Sequence, residues 1–343
     1  MDMRERVYRT ICFEQPDAVP LEIQYDGATA AKYQRSISRL LKQHPNHFLT
    51  VRYTPPKGSV GYNTSTLVLG RDEWGVTWAD DFNMGRRVVG HPLQDWGSLD
   101  RYVFPDVDAE GRFDLAEKMI KENHANRFVV GLVWFTLFER LWFLRGFTNC
   151  VSDIMRGDTR ISKLADLVMD FDLKATKRTL ELGIDAIFFS DDYGHQRGLM
   201  FPLKVWENFF LPKWKQLFDT VHNGGASAML HSCGDVSSII HQLIEAGLDV
   251  LNPVQPQAMK IDEIGKNYSG KICFFGGVDV QGTLPKGTEQ EVENEVRHLI
   301  WTLGDSNGGY IGGTSHTILP DTPLANIRAM YRAFDKWGVF RIG

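Results

Sequence analysis

The stretch Met229-Leu230-His231-Ser232-Cys233-Gly234-Asp235 places an imidazole and a thiol, one residue apart, directly after the apolar run from Ala226 to Leu230. A short apolar run of this kind predicts a buried strand, and alternate side chains of a strand point to the same face. We therefore expect His231 and Cys233 to project together from its carboxyl end. Nitrogen and sulfur at this spacing are typical zinc ligands. The alternative is a core cysteine beside a hydrogen-bonded histidine, because two ligands do not make a metal site.

After this strand, Gly234 and Asp235 predict a helix start, with Asp235 as the N-cap residue. Strands and helices alternate in the same way along the rest of the chain. The predicted strands cover Leu21–Ile23, Phe48–Tyr53, Phe128–Phe135, Asp185–Phe189, Ala226–Leu230, Asp249–Gln255 and Lys271–Phe275, and the eighth lies in the stretch Gly309–His316, with His316 at its end. This alternation is typical of parallel strands joined by helical crossovers.

Polar residues gather just after these strands, which favours a closed (β/α)₈ TIM barrel over a doubly wound sheet. In such a barrel they all point into the mouth, the end at which the strands reach their carboxyl termini. These residues are Asp191, Asp192, His231, Cys233, Asn252, Gln255, Asp279 and His316. We expect one barrel domain over residues 1–343, with an excursion at about 58–110 of the kind that serves function or forms a lid.

The overall composition is that of a soluble globular protein, with 43% hydrophobic and 24% charged residues among 343. A net charge of −5 with no basic stripe gives no electrostatic reason to expect nucleic acid as a partner. No apolar run approaches a membrane span, and the N-terminus lacks the apolar core of a signal peptide. Four cysteines in a chain this long do not form a disulfide framework, so we expect a cytoplasmic protein. No glycine-rich nucleotide motif follows a strand, which counts against nucleotide use.

The chain resembles the uroporphyrinogen decarboxylase superfamily over nearly its whole length. The matching stretches are Asp72-Glu73-Trp74-Gly75, Asp191-Asp192-Tyr193-Gly194, His231-Ser232-Cys233-Gly234-Asp235, Asp249 through Pro256, Gly276-Gly277-Val278-Asp279, and Ser315-His316 through Pro323. The resemblance implies a single (β/α)₈ barrel with its active site in the mouth. It also implies one of two activities: metal-free decarboxylation in haem biosynthesis, or zinc-dependent methyl transfer to or from a cobalamin carried by a partner protein.

The N-terminal segment speaks against the decarboxylase branch. Those enzymes carry an Arg-Gln-Ala-Gly-Arg type of segment, whereas this chain has Gln24-Tyr25-Asp26-Gly27-Ala28 there, without the arginines. A tetrapyrrole with many carboxylates needs cations, since guanidinium groups supply both energy and geometry. The sequence is therefore closer to the methyltransferase branch.

In that branch the resemblance implies zinc held by His231 and Cys233, with a third ligand near the last strand. Methyltransferases of this kind typically have a cysteine there, and this chain offers His316. A carboxylate from Asp191, Asp192 or Asp279 is the alternative third ligand. The expected partners are a small methylated substrate and a corrinoid protein, and superfamily resemblance also suggests a homodimer.

Other residues of the mouth are candidates for catalysis or substrate contact. The candidate catalytic residues are Asp192, Asp279 and Tyr193, and the candidate substrate contacts are Trp74, Asn252 and Gln255. Asp192 would orient a metal ligand or the substrate. Glu139 and Arg145, after the Phe128–Phe135 strand, are interpreted as a salt bridge.

Two further readings stay open at this point. In a decarboxylase or related lyase, Asp192 or Asp279 would stabilise a protonated pyrrole and His231 would act as the acid. In a non-catalytic barrel, the mouth would bind a small molecule or a corrinoid protein. The cluster of titratable groups disfavours this last reading.

Overall fold

A computed structural model describes residues 1–55, 70–81 and 85–340. Its main sheet has seven strands that pair side by side, all of them parallel, in the order β1, β5, β6, β9, β10, β11, β12. These strands are β1 Phe48–Arg52, β5 Phe128–Val133, β6 Ala186–Ser190, β9 Ser227–His231, β10 Val250–Asn252, β11 Cys273–Phe275 and β12 Tyr310–Ile311. Between β6 and β9 the chain forms a separate antiparallel pair, β7 Gly194–His195 and β8 Gly198–Leu199. The order follows the chain throughout, as crossover connections in one direction require.

The segment 20–23 closes this curled sheet between its first and last strands. The Glu22 amide donates to the Gly312 carbonyl at 3.0 Å, and the Gly312 amide donates to the Pro20 carbonyl at 2.8 Å. On the other side the His47 amide donates to the Leu21 carbonyl at 2.9 Å. The segment therefore takes the eighth strand position, and the predicted (β/α)₈ barrel is confirmed.

Helices follow most of the barrel strands. They are α1 Met3–Cys12, α2 Gly27–Lys32, α3 Gln34–Gln43, α4 Asp114–Lys121, α5 Leu137–Arg145, α6 Phe147–Arg156, α7 Thr159–Leu180, α8 Leu203–Val205, α9 Leu211–Asn223, α10 Ile240–Glu245, α11 Ile261–Tyr268, α12 Thr283–Lys286, α13 Glu289–Leu303 and α14 Leu324–Trp337. Within the described ranges, no helix is long and apolar enough to cross a membrane.

The barrel strands are apolar on both faces because each face is buried against a different layer. Alternate residues of the strands meet in one core cluster, including Phe128, Phe188, Met229 and Phe275, together with Val7 of α1. The intervening residues belong to a second, larger cluster shared with the surrounding helices. This two-sided burial explains the continuous apolar runs in the sequence.

The excursion contains a small antiparallel sheet, formed by β2 Gly70–Arg71, β3 Thr77–Asp81 and β4 Gly85–Gly90. A buried ion pair ties it to the barrel, since the Arg112 guanidinium donates to Glu73 at 2.5 Å. Residues 58–69 and 82–84 of the predicted excursion at about 58–110 lie outside the described residues.

The predicted helix cap after the fifth strand is wrong in detail. The Asp235 side chain accepts a hydrogen bond from the Ser237 amide at 2.9 Å, in a short turn rather than at an α-helix. A 3₁₀ turn over Ser237–Ile239 follows, and α10 begins only at Ile240. A short polar side chain satisfies a nearby amide as readily in a turn as at a helix N-terminus.

Candidate functional site

The register of three neighbouring strands brings the mouth residues together. His231, the last residue of β9, pairs with Ser190 of β6 on one side and with Asn252 of β10 on the other. Asp191 and Asp192 follow Ser190 directly. The carboxyl ends of parallel strands meet at one edge, so these acidic residues lie beside the imidazole.

Asp192, His231 and Cys233 form a compact group of metal-type donor atoms, all within 4.8 Å of one another. Cys233 Sγ lies 3.3 Å from His231 Nε2, and Asp192 Oδ1 lies 3.8 Å from the same nitrogen. The Cys233 amide donates to Asp192 Oδ1 at 2.7 Å, which holds the carboxylate against the loop that carries the thiol. All three side chains are partly buried.

The tautomer of His231 follows from its neighbour Asn252. The Asn252 amide nitrogen donates to the Phe275 carbonyl at 3.2 Å, so its oxygen faces His231. That oxygen lies 2.7 Å from His231 Nδ1 and can only accept, so Nδ1 carries the proton. The lone pair of the neutral imidazole is therefore on Nε2, which faces Cys233 and Asp192. A histidine oriented in this way is typical of metal ligands.

Two glycines allow the loops after β6 and β9 to touch. Gly234 has a φ of +81°, and a Cβ placed on it would lie 2.3 Å from the Gly194 carbonyl carbon. The Asp235 amide donates to the His195 carbonyl at 2.9 Å, which joins the same two loops. Gln255, in the loop after β10, supports this contact, because its side-chain oxygen accepts a hydrogen bond from the Gly234 amide at 2.9 Å.

The electrostatic environment of the group is acidic. Burial, followed by the nearby Asp192 and Glu139 carboxylates, raises the pKa of the Cys233 thiol well above its ordinary value. Burial also raises the pKa of Glu139, with Asp192 and Asp191 acting in the same direction. Burial raises the pKa of Asp191 to about 7, against the hydrogen bonds that it accepts. A bound cation would offset this surplus of negative charge and stabilise the thiolate.

The spacing of the donors fits a zinc ion. Tetrahedral bonds of about 2.3 Å to sulfur and about 2.0 Å to nitrogen or oxygen separate the S and N atoms by about 3.5 Å and the N and O atoms by about 3.3 Å. The corresponding separations of 3.3 Å and 3.8 Å differ from these by a few tenths of an ångström. One sulfur, one nitrogen and one oxygen make a donor set that zinc accepts, with a fourth position left for a substrate.

The predicted third ligand, His316, is not part of this group of donors in the described chain. It follows β12 across the mouth. Burial lowers the pKa of His316, and the charge of His231 acts in the same direction. The third donor beside His231 and Cys233 is Asp192, which is one of the predicted alternatives.

Four other predicted site residues make hydrogen bonds to groups within the protein. Asn252 and Gln255 hold His231 and Gly234, as described above. The Tyr193 hydroxyl is buried and donates to Asp191 at 2.5 Å, so it orients that carboxylate. Asp279 lies apart, after β11, where it accepts from the Gln257 side chain at 2.6 Å and from the Gln281 amide at 2.8 Å.

A cavity of about 450 Å³ adjoins the donor group. Its lining residues are Arg52, Tyr53, Thr54, Pro55, Asp72, Glu73, Trp74, Trp78, Leu115, Leu132, Trp134, Phe135 and Arg140. The Trp134 ring lies 5.5 Å from the His231 ring between centroids, so it forms the wall between cavity and donors. Trp74, a predicted substrate contact, is among the lining residues.

The expected salt bridge between Glu139 and Arg145 is wrong. Arg145 pairs with Asp153 at 2.9 Å, while Glu139 accepts from the Ser190 hydroxyl at 2.8 Å and faces the acidic group. Sequence reasoning also missed Trp134 and Arg140. The signal was available, because Trp134 lies at the carboxyl end of the predicted strand Phe128–Phe135 and Arg140 follows it, and such residues point into the mouth of a barrel.

Comparisons with known proteins identify a family and several related enzymes. A family model described as uroporphyrinogen decarboxylase (URO-D) matches residues 135–337. A methylated-thiol–coenzyme M methyltransferase of Methanosarcina mazei is 27% identical over 169 residues, 49% of this chain and 42% of that protein. The aligned region thus spans less than half the length of that relative. The methylcobamide:CoM methyltransferase MtbA of the same organism is 23% identical, over 74% of this chain and 72% of its own.

A decarboxylase is also among the relatives. The uroporphyrinogen decarboxylase of Chlorobaculum tepidum is 21% identical over 70% of this chain and 69% of its own. Among solved structures, a methyltransferase from Methanosarcina mazei superposes with a TM-score of 0.71 at 15% identity, covering 98% of this chain and 99% of that one. At this identity the superposition supports the fold alone.

Proposed function

This chain belongs to the uroporphyrinogen decarboxylase (URO-D) family, and on that premise we propose that it is a zinc-dependent methyltransferase. It moves a methyl group between a small methylated substrate and a corrinoid (cobalamin) carried by a partner protein. The observation that carries the proposal is the group of Asp192, His231 and Cys233 donors at the mouth. The methyltransferases among its relatives support the same reaction class.

The residues of the mouth have separate tasks in this reaction. His231 Nε2, Cys233 Sγ and Asp192 Oδ1 would hold the metal and leave one position open. Bound zinc supplies Lewis acidity, which lowers the pKa of a substrate thiol or hydroxyl. Asn252 keeps the lone pair of His231 on Nε2, because its side-chain oxygen accepts a hydrogen bond from Nδ1–H at an Nδ1–oxygen distance of 2.7 Å. Burial raises the pKa of Glu139, which favours its neutral form beside the donors.

The thiol of Cys233 must lose its proton before it can act as a metal ligand. Because its pKa is raised by burial and by Asp192, the thiolate forms only when a cation is present. Zinc affinity should therefore fall as the solution becomes more acidic. The cytoplasmic location, the corrinoid protein as partner and the homodimer belong to the same proposal.

The experiment that tests the proposal combines metal analysis with a methyl-transfer assay. Wild-type protein should contain about one zinc per chain, and His231→Ala and Cys233→Ser should lose it. The assay follows demethylation of methylcobalamin by a thiol through its visible spectrum. Both variants should lower this rate by at least about tenfold, because a missing ligand weakens the site.

Cys12→Ser is the matched control, since Cys12 is an exposed thiol on α1, away from the mouth. It should keep both the zinc and the rate of the wild type. Equal loss in Cys12→Ser and Cys233→Ser, or a wild-type protein that transfers methyl groups after complete removal of zinc, would contradict the proposal.

A further inference from the structure

Arg140 is a buried cation that has no carboxylate partner among the residues that the structure describes. In the described part of the chain, Arg112, Arg140 and Arg145 are the arginines with less than 9% exposure. Arg112 pairs with Glu73 at 2.5 Å and Arg145 with Asp153 at 2.9 Å. No carboxylate oxygen of the described residues lies within 4.0 Å of the Arg140 guanidinium. Because buried charges are normally paired, an unpaired one that lines a cavity indicates a missing anion.

The position of Arg140 leaves its donors available. Its guanidinium carbon lies 4.2 Å from the centroid of the Trp74 ring, and the side chain lines the cavity of about 450 Å³. A planar guanidinium stacked on an aromatic face keeps its N–H groups at the free edge. That edge can donate two parallel hydrogen bonds to one carboxylate.

The acidic residues of the cavity do not neutralise this charge. Asp72 accepts from the Trp78 indole at 2.7 Å and from two backbone amides, and both oxygens of Glu73 bind Arg112. Arg52, the other cation of the lining, has no ion pair among the described residues. The unpaired charge of the cavity is therefore positive, which disfavours a methylammonium substrate.

Asp172 is an acidic residue whose pKa is affected by the charge of Arg140. It is buried, and its Oδ2 has no hydrogen-bond partner among the described residues. Burial raises its pKa well above the ordinary value, and the charge of Arg140 only partly offsets this. This shift favours the neutral form of the carboxyl group, and a neutral Asp172 does not offset the positive charge of Arg140.

The walls of the cavity are aromatic, which suits a planar ring. Tyr53, Trp74, Trp78, Trp134 and Phe135 line it. Arg140 lies in one wall, and Trp134 forms the wall toward His231, with ring centroids 5.5 Å apart. A ring held between aromatic side chains gains apolar burial and stacking. A molecule anchored at Arg140 would therefore share the cavity with Trp134, whose ring borders His231.

We infer that this cavity binds the methyl-bearing substrate as an aromatic carboxylate, with its acid group on the Arg140 guanidinium and its methylated group directed toward His231. The inference rests on the proposed function, and it specifies the substrate class at the same mouth. It makes Arg140 a residue that determines specificity for an anion.

Binding of 4-methoxybenzoate tests the inference, measured through the fluorescence of the tryptophans that line the cavity and by calorimetry. The neutral analogue 4-methoxybenzamide serves as a probe of the ring alone. A hydrogen-bonded charge pair contributes about 1.5–3 kcal/mol, equivalent to a factor of about 10 to 150 in affinity. Arg140→Gln should therefore weaken the acid by at least about tenfold and leave the amide within about threefold.

Arg140→Lys keeps the positive charge but lacks the two parallel N–H donors of the guanidinium. It should therefore bind the acid more tightly than Arg140→Gln and more weakly than the wild type. Arg35→Gln, an exposed arginine of α3, is the control and should bind both probes like the wild type. The unfolding temperature of each variant should be recorded to show that it is folded. If Arg140→Gln does not fold, the affinities of Arg140→Lys and wild type for 4-methoxybenzoate and for 4-methoxybenzamide decide the question. The variant should then lose affinity for the acid and keep its affinity for the amide.

Two results would overturn the inference. One is equal binding of acid and amide by the wild type. The other is tighter, Arg140-dependent binding of 2-mercaptoethanesulfonate than of 4-methoxybenzoate, which would indicate an aliphatic anion. Neither result affects zinc content or the thiol assay, so failure here is separable from failure of the proposed function.

Discussion

Glu22 is a single buried carboxyl group that links the stability of the barrel to pH. It lies in the segment that closes the sheet, and its Oε2 has no hydrogen-bond partner among the described residues. Burial raises its pKa from 4.5 to about 8, although a hydrogen bond to Phe48 and the charge of Arg127 act the other way. Between those two values the folded protein keeps a proton that the unfolded chain has lost. The contribution of this bound proton to the free energy of unfolding is fully present below about pH 4.5 and is lost as the pH rises through 8.

Glu22→Gln tests this linkage. The amide is neutral at every pH and keeps an oxygen for the Phe48 amide. Between pH 5 and 7.5 the free energy of unfolding of wild type should fall relative to that of the variant, by up to about 1.4 kcal/mol per pH unit. Urea unfolding at several pH values measures both. The difference between the two free energies of unfolding reports on Glu22 alone, because the other buried acids are common to both proteins. Parallel plots of free energy against pH for the two proteins would contradict the assignment.

Among the elements, the two loops after β6 and β9 determine whether the donor group forms. Asp192 is in one loop and Cys233 in the other, and the loops touch at Gly194 and Gly234. The contact leaves no room for a methyl group at either glycine, since a Cβ on Gly194 would lie 2.7 Å from the Cys233 carbonyl oxygen. Close approach of backbones is one of the few roles that only glycine can fill.

Gly234→Ala should therefore separate the loops. We expect a loss of roughly 1–3 kcal/mol in the free energy of unfolding, from the positive φ together with the clash, and a marked fall in zinc affinity. Gly225→Ala is the matched control, because Gly225 has a φ of +77° and nothing within 4 Å of its Cβ position. It should cost stability through φ alone, about 1 kcal/mol, and leave zinc affinity unchanged. Equal zinc affinities in the two variants would show that the loop contact does not position the donors.

At the scale of the whole molecule, the charge inside the mouth leads to a prediction about decarboxylation. Its cavity holds about 450 Å³ and presents two cations without ion pairs among the described residues, Arg52 and Arg140. The N-terminal Gln24–Ala28 segment adds no arginine. A tetrapyrrole with many carboxylates needs more cations than this, because each unpaired carboxylate placed in the mouth costs desolvation energy.

The purified protein should therefore not decarboxylate uroporphyrinogen at a useful rate. Chromatographic analysis of the porphyrins after anaerobic incubation measures this, with the Chlorobaculum tepidum decarboxylase as the active reference. Steady formation of coproporphyrinogen would place the chain in the decarboxylase branch and remove the basis for the methyl-transfer proposal.

Local patterns in the chain were enough to predict the barrel and the position of its mouth. The apolar runs around Phe128, Ala186 and Met229 are buried on both faces, and a strand buried on both faces is readable from neighbouring residues alone. The same holds for His231 and Cys233, because their common face depends only on a spacing of two. Asp235 shows the limit of such patterns, since one short side chain serves a turn or a helix equally well.

Only the tertiary structure decided which distant residues meet. Asp192 joins His231 and Cys233 because strand register and the contact of two glycines bring separate loops together, and His316 lies outside that group. Arg145 pairs with Asp153 rather than with Glu139, and Arg140 is left facing the cavity. A charge pair depends on distances across the fold, which packing sets and sequence spacing does not. The sequence by itself thus determined the barrel and the zinc-type pair at its mouth, while packing decided the third donor and the charge of the neighbouring cavity.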